Sequence, residues 1–367
     1  MYRESVWLER VPLTADTIAR YGNGQLLKTG NTLVFYPNPS LDQAAKRPTE
    51  PVRLWMYSPY NGLNVVQGVV PGFPIVETRA SSFQDTLWLF GHDKVLRLKI
   101  DVGEITSAII TKTDQPLLGL CVAISESAFV HAEVRSQHTV VLQFYEIDTA
   151  DNKPLKLVRE SRCRKRANIL LTSVHATNDT LVLVYWDQER STILADHHTK
   201  DGKHLRWTRH RIRDVSTEGL FFSDTLHYFV WVVQEDGAVL EWTSDFSCWH
   251  RQRIHERAAK RLLIEQPVGV FIIPEHDYVK LVVFRTGLLL IKGVEAQYVK
   301  IPGIIEAAGN YKGRIYLFGT FLIGKNEVGA LLYYPQKNFY TPELVPNFTR
   351  LMIRGLLSSD IKAILPQ

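Results

Sequence analysis

Apolar and polar positions alternate along this chain in short bursts. Runs rich in Val, Leu, Tyr, Phe and Trp are bounded by turn residues, as at Thr86–Phe90, Val95–Ile100, Thr180–Trp186, Tyr228–Val233 and Ile315–Phe318. Runs of that length and composition between turn signals predict β-strands. A 3.6-residue period is confined to Ile254–Ile264 and Ser359–Leu365, where short helices are expected.

The strand openings keep a rhythm. Asn31-Thr32-Leu33, Asp85-Thr86-Leu87, Asp179-Thr180-Leu181 and Asp224-Thr225-Leu226 each lead into an apolar run, at steps of 54, 94 and 45 residues. The double step leaves room for a degenerate copy, found at Glu126-Ser127-Ala128-Phe129-Val130, and two further openings follow at Asp277-Tyr278-Val279 and Lys312-Gly313-Arg314-Ile315. After each opening a strand runs out, a turn follows and a second strand returns. In the second unit the turn is Gly91-His92-Asp93-Lys94. In the fifth it is Glu235-Asp236-Gly237, whose Gly tolerates the positive φ of a tight hairpin.

A four-stranded antiparallel unit of that length cannot bury both of its faces alone. Stacking such units around an axis buries them against one another and leaves only short edges. The pattern therefore predicts an all-β chain forming a single β-propeller of about seven four-stranded blades over residues 1–367. Residues 1–30, with Val6-Trp7-Leu8-Glu9-Arg10-Val11, and residues 346–367 are expected to pair and close the ring. An irregular pair of β-sandwiches is the less economical alternative. The WD-repeat, kelch and sialidase Asp-box signatures are missing.

One stretch carries a resemblance. Val230-Trp231-Val232-Val233-Gln234-Glu235-Asp236-Gly237-Ala238-Val239-Leu240-Glu241-Trp242-Thr243, followed by Trp249-His250-Arg251, resembles a segment of the tail nozzle and hub proteins of short-tailed bacteriophages. Leu205-Arg206-Trp207-Thr208-Arg209 is similar to its closing part. The resemblance implies a structural ring subunit of a virion, without catalytic residues.

Charge sharpens the picture. The formal net charge is +5, but 17 cations and 3 anions fall within 156–166, 200–213 and 251–261, leaving the rest of the chain at −9. Those segments begin 44 and 51 residues apart, close to the repeat, so each is expected on the outer strand of successive blades three to five. Neighbouring positions on a wheel would then form one basic stripe of Arg159, Arg162, Arg164, Lys165, Arg166, Arg206, Arg209, Arg211, Arg213, Arg251, Arg253 and Arg257, with Trp207 and Trp249 interleaved. A concentrated positive field attracts acidic proteins or nucleic acid, and arginine suits bidentate pairing with carboxylate or phosphate. Charges on outer strands also serve simply to block edge-to-edge aggregation.

Catalytic chemistry is not visible. Phosphate-loop, dinucleotide and nucleophile-elbow motifs are absent. Asp196-His197-His198 with His204 is the metal-like cluster of the chain. Adjacent residues of a strand point to opposite faces, so a polar turn is expected there, and no metal or cofactor. Cys248-Trp249-His250 reads as a structural cysteine with no orienting group for a nucleophile. The guessed inner strands, Leu117–Ile124, Ile169–Val174 and Val268–Ile273, carry no repeated acid, and Glu218 and Glu306 are the only acids noted as possible channel residues.

Cys121, Cys163 and Cys248 are odd in number and unpaired in spacing, which argues for a reducing compartment. No apolar stretch approaches the ~18 residues of a membrane helix. No apolar signal core follows Met1-Tyr2-Arg3-Glu4-Ser5, so an intracellular or virion location is expected. The sequence thus predicts a non-catalytic assembly subunit that binds other proteins, with nucleic acid as a further partner class, through the basic side of a propeller. A cellular adaptor of a coat, pore or ubiquitin-ligase complex is the first alternative, and a glycan-binding or glycan-cleaving propeller the second.

Overall fold

The computed structural model describes residues 7–9, 24–37, 49–58, 66–74, 78–147, 155–165, 169–177, 179–212, 220–223, 227–234, 237–255, 265–273, 279–301, 303–311, 314–323 and 326–334. Every regular element among them is a β-strand, and every strand pairing is antiparallel. The first sheet holds β1 (Trp7–Glu9), β2 (Gly24–Thr29), β3 (Thr32–Pro37), β4 (Pro51–Tyr57) and β5 (Val66–Pro74). The second holds β6 (Arg79–Phe83), β7 (Thr86–Phe90), β8 (Lys94–Asp101) and β9 (Glu104–Lys112). The third holds β10 (Leu120–Ala123), β11 (Ala128–Ser136), β12 (Thr139–Glu146) and β13 (Lys156–Arg164). The fourth holds β14 (Ile169–Ala176), β15 (Thr180–Asp187), β16 (Thr192–Thr199) and β17 (His204–Arg211).

The fifth sheet holds β18 (Leu220–Ser223), β19 (Tyr228–Gln234), β20 (Gly237–Thr243) and β21 (His250–His255). The sixth holds β22 (Pro267–Ile273), β23 (Val279–Phe284), β24 (Gly287–Lys292) and β25 (Glu295–Lys300). The last holds β26 (Gly303–Tyr311), β27 (Arg314–Ile323) and β28 (Asn326–Tyr334). Within each sheet the strands are ordered as they occur in the chain, except that β1 adds beyond β5. The result is a β-propeller. Six blades have four consecutive antiparallel strands, where about seven were expected, and the last sheet has three among the described residues.

The first strands of the sheets lie toward the axis, where β2 meets β6, β6 meets β10, β10 meets β14, β22 meets β26 and β26 meets β2. The expected inner strands are thus β10, β14 and β22. The second strands are buried on both faces, as in Thr86–Phe90 and Leu181–Asp187, because each sheet is sandwiched between two others. Burial on both sides explains why those strands read as continuous apolar runs instead of alternating. The seams between sheets are filled largely by apolar clusters. Phe229, Trp231 and Leu240 meet Val282, Phe284 and Leu289 between the fifth and sixth sheets. Phe271, Leu281 and Leu288 meet Ile305, Ile315 and Leu317 between the sixth and the last.

Three expectations need correction. Trp7–Glu9, the described part of Val6–Val11, pairs not with the last sheet but with β5 of the first, register Trp7 to Val69, where that sheet leaves an outer edge open to a further strand. The last sheet packs on the first through side chains, with Phe35 stacked on Phe318 at 3.9 Å and Leu26 against Gly309. Residues 346–367 lie outside the described residues. So do Ser359–Leu365 and most of Ile254–Ile264, whose first residues end strand β21 instead of opening a helix. Asp196, His197 and His198 sit inside strand β16 and form no turn. The turn lies after them, where Gly202 takes φ +83° with its Cα hydrogens facing Phe144.

Candidate functional site

The three basic segments fall on β13, β17 and β21, the fourth and outermost strands of the third, fourth and fifth sheets. Arg159, Arg162, Arg164, Arg206, Arg209, Arg211, Arg251 and Arg253 are exposed there. Lys165 is half-buried, with Nζ 3.1 Å from the Ile169 carbonyl, so it ties β13 to the next sheet. Arg166, Arg213 and Arg257 lie outside the described residues.

The outer strands are linked from sheet to sheet. Arg159 Nη1 lies 3.1 Å from Oδ2 of Asp201, and Ser161 Oγ donates to the Gly202 carbonyl at 3.2 Å, joining β13 to the β16–β17 turn. His210 of β17 bonds the buried Glu241 carboxylate, which also faces Arg251 at 3.6 Å. Arg162 is paired with Glu160 on its own strand at 3.4 Å. The expected placement of the arginines in equivalent positions therefore holds for the residues described.

The two tryptophans differ. Trp249 is half-buried, stacked on His210 at 4.2 Å and packed edge-on to Phe246 and Tyr228. One of its faces is taken by the fold. Trp207 is 45% exposed and rests over Tyr185 at 5.8 Å. Leu157, Val158 and Leu205 are also about half exposed on β13 and β17. The charge pattern hides these apolar residues. Their only sequence signal is that outer strands break the polar rule at Leu157-Val158 and Leu205, each beside a β-bulge.

A second constellation lies beneath this surface, in the seam between the third and fourth sheets. Asp196 and His198 are two residues apart on β16 and so share a face. Cys163 meets them from β13. All three are buried, and Sγ of Cys163, a carboxylate oxygen of Asp196 and a ring nitrogen of His198 lie within 4.8 Å of one another. His198 Nε2 is 2.9 Å from Asp196 Oδ2 and 3.7 Å from Cys163 Sγ, while its Nδ1 faces the Gly202 carbonyl at 3.4 Å.

His204 Nδ1 lies 2.8 Å from the other carboxylate oxygen of Asp196. Burial would lower the His198 pKa, but the Asp196 carboxylate and the Cys163 sulfur beside it raise it to about 10. His197 points the other way, as expected for the neighbouring residue, with Nε2 3.1 Å from Thr208 Oγ1. The adjacent histidines face opposite sides, as strand alternation requires, whereas Asp196 and His198 at i, i+2 share one side. Cys163, 33 residues upstream of Asp196, was out of reach of any spacing rule.

This is not a nucleophile–base–acid relay. In such a relay the acid and the nucleophile bond opposite nitrogens of the imidazole. Here the thiol and the carboxylate converge on one nitrogen, Nε2, and all are buried. Cys248 is exposed, its N–H donates to Asp245 Oδ1 at 3.0 Å, and its carbonyl accepts from Thr243 Oγ1 at 2.6 Å. Glu306 of β26 is held by both carboxylate oxygens on Arg285, at 2.7 and 2.9 Å. Glu218 lies outside the described residues. No helix among the described residues is long and apolar enough to cross a membrane.

The sequence matches no protein-family model and no curated protein. Solved structures are similar in backbone. A functionally unknown protein from Desulfotomaculum acetoxidans aligns over 80% of this chain and 91% of its own, at 9% identity and TM-score 0.47. A prolyl endopeptidase aligns over 85% of this chain but 47% of its own, at 13% identity and TM-score 0.49. The Dos1 propeller aligns over 84% and 77%, at 10% identity and TM-score 0.43.

Proposed function

We propose that this propeller is a non-catalytic interaction subunit that docks an acidic protein segment on the outer strands of its third to fifth blades. The reading is carried by one observation: three arginine-rich strands occupy the same outermost position in three successive sheets. Eight exposed arginines along them give a long-range field for capture. Trp207, Leu157, Val158 and Leu205 add exposed apolar side chains along the same strands, of the kind that hold a partner once it has arrived. A subunit of a larger assembly, viral or cellular, is the setting that suits such a surface.

The test is charge reversal. Arg164→Glu, Arg209→Glu and Arg253→Glu together should leave the fold intact, because exposed substitutions usually cost within ~0.5 kcal/mol each. Co-purification from the native source, compared between wild type and the triple variant over a salt series, should show the partner lost and the salt dependence flattened. Binding that is unchanged by the triple variant would leave the stripe as a solubility device and remove the proposal. Retention of nucleic acid in place of protein would change the partner class.

A further inference from the structure

We propose that Cys163, Asp196 and His198 form a zinc site that staples the third blade to the fourth. The site is independent of the basic surface above it.

The donor set suits the ion. Zinc takes thiolate, imidazole nitrogen and carboxylate oxygen in a tetrahedron. Bond lengths of about 2.3 Å to sulfur and about 2.0–2.2 Å to nitrogen and oxygen place neighbouring N and O donors about 3.3 Å apart, and S and N about 3.6 Å apart. The separations here are 2.9 Å for His198 Nε2 to Asp196 Oδ2 and 3.7 Å for His198 Nε2 to Cys163 Sγ. Both separations from His198 Nε2 are within a few tenths of an ångström of the ligating values, and the carboxylate oxygen and the sulfur lie within 4.8 Å of each other.

The outer shell is also in place. A ligating histidine commonly donates its second N–H to a backbone carbonyl or a carboxylate, which fixes the tautomer. His198 Nδ1 faces the Gly202 carbonyl at 3.4 Å. A ligating carboxylate is usually bonded in turn, and His204 Nδ1 holds the second oxygen of Asp196 at 2.8 Å.

An independent feature points to a fourth ligand. Tyr185 is 1% exposed and its hydroxyl has no hydrogen-bond partner, an arrangement that costs free energy in a folded core. Tyr185 and Cys163 belong to the same buried cluster between the third and fourth sheets. A water completing the zinc tetrahedron would give that hydroxyl a partner. Zinc binding displaces the proton between His198 and Asp196 and the thiol proton of Cys163, so uptake of the metal releases protons to solvent.

The experiment uses the full chain, stripped with a chelator and titrated with zinc against a chromogenic competitor, then with cobalt. One zinc per chain should bind and raise the thermal midpoint. Cobalt should give a thiolate charge-transfer band and the intense visible bands of a tetrahedral site. The Cys121→Ser/Cys248→Ser variant should keep both spectra, since it leaves Cys163 as the only thiol. Cys163→Ser and His198→Gln should each abolish stoichiometric binding, and His204→Gln should weaken it about 10–100-fold, as outer-shell changes do. Absence of stoichiometric zinc, a cobalt spectrum without the thiolate band, or loss of that band in the Cys121→Ser/Cys248→Ser variant would overturn the proposal. The last readout holds even where Cys163→Ser fails to fold.

Discussion

Two seams of the wheel are built on the same topology and filled in opposite ways. Between the fifth and sixth blades, Ile254 of the outer strand meets Leu289 and Ile291 of the next sheet, with Phe284 beside them. Between the third and fourth blades the corresponding positions hold Cys163, Asp196, His198 and Tyr185. The match follows from register. Cys163 pairs with Val140 and Ile254 with Ala238, each the second residue of its blade's third strand. His198 pairs with Leu181 and Ile291 with Lys280, each the second residue of its blade's second strand. The blade therefore does not require polar groups at this height. The apolar seam shows that the fold is served by burial alone, so the polar set is an addition that costs desolvation unless each group is paired.

That contrast can be broken deliberately in the metal-free protein. The largest effect is expected from Asp196→Ala, which strands the buried His198 without its carboxylate. Removing one partner of a buried ion pair typically costs about 3–5 kcal/mol, and a denaturant midpoint measured beside wild type will show it. Converting three of those four positions to their counterparts in the apolar seam, with Cys163→Ile, Asp196→Leu and His198→Ile, should recover the loss. Replacing a buried charged cluster by packed hydrophobics is often neutral or stabilising by about 1–4 kcal/mol. A triple variant less stable than Asp196→Ala would mean that the two seams are not equivalent in shape.

Acid sharpens a related difference at the next seam. His175 is packed against Tyr228 and Phe246, and burial lowers its pKa to about 4. A depressed folded-state pKa contributes stability above the unfolded value near 6.5. That contribution, up to about 3 kcal/mol, is lost as pH falls through 4. His131 behaves alike: its Nε2 accepts from the Gly119 N–H at 2.8 Å, so the ring must be neutral. Thermal midpoints between pH 7 and 4 should therefore fall, and His175→Phe should flatten the slope. The smallest effect belongs to the outer strands, where the Arg-to-Glu reversals should barely move the midpoint.

Much of the wheel was legible in advance. Openings such as Asp85-Thr86-Leu87 and Asp179-Thr180-Leu181 mark the second strand of a blade, which is buried on both faces and so reads as an unbroken apolar run. Outer strands such as His204–Arg211 face water and so carry the charge. The strand count of the last blade and the seat of Trp7–Glu9 were not legible, because β1 is too short to carry a pairing signal of its own. Trp207 and Trp249 have similar sequence surroundings, yet one faces solvent and the other stacks on His210. Which face of an outer strand meets the next blade depends on bulges such as the one at His197/His198, and these leave no mark in composition.

By itself the sequence determined the repeating strand rhythm, the all-β class and the outer position of the arginines, because each follows from local periodicity and burial within one blade. Tertiary structure alone decided that Cys163 would meet Asp196 and His198. Cys163 belongs to one blade and Asp196 and His198 to the next, and only the stacking of one sheet on the other brings their donor atoms within 4.8 Å.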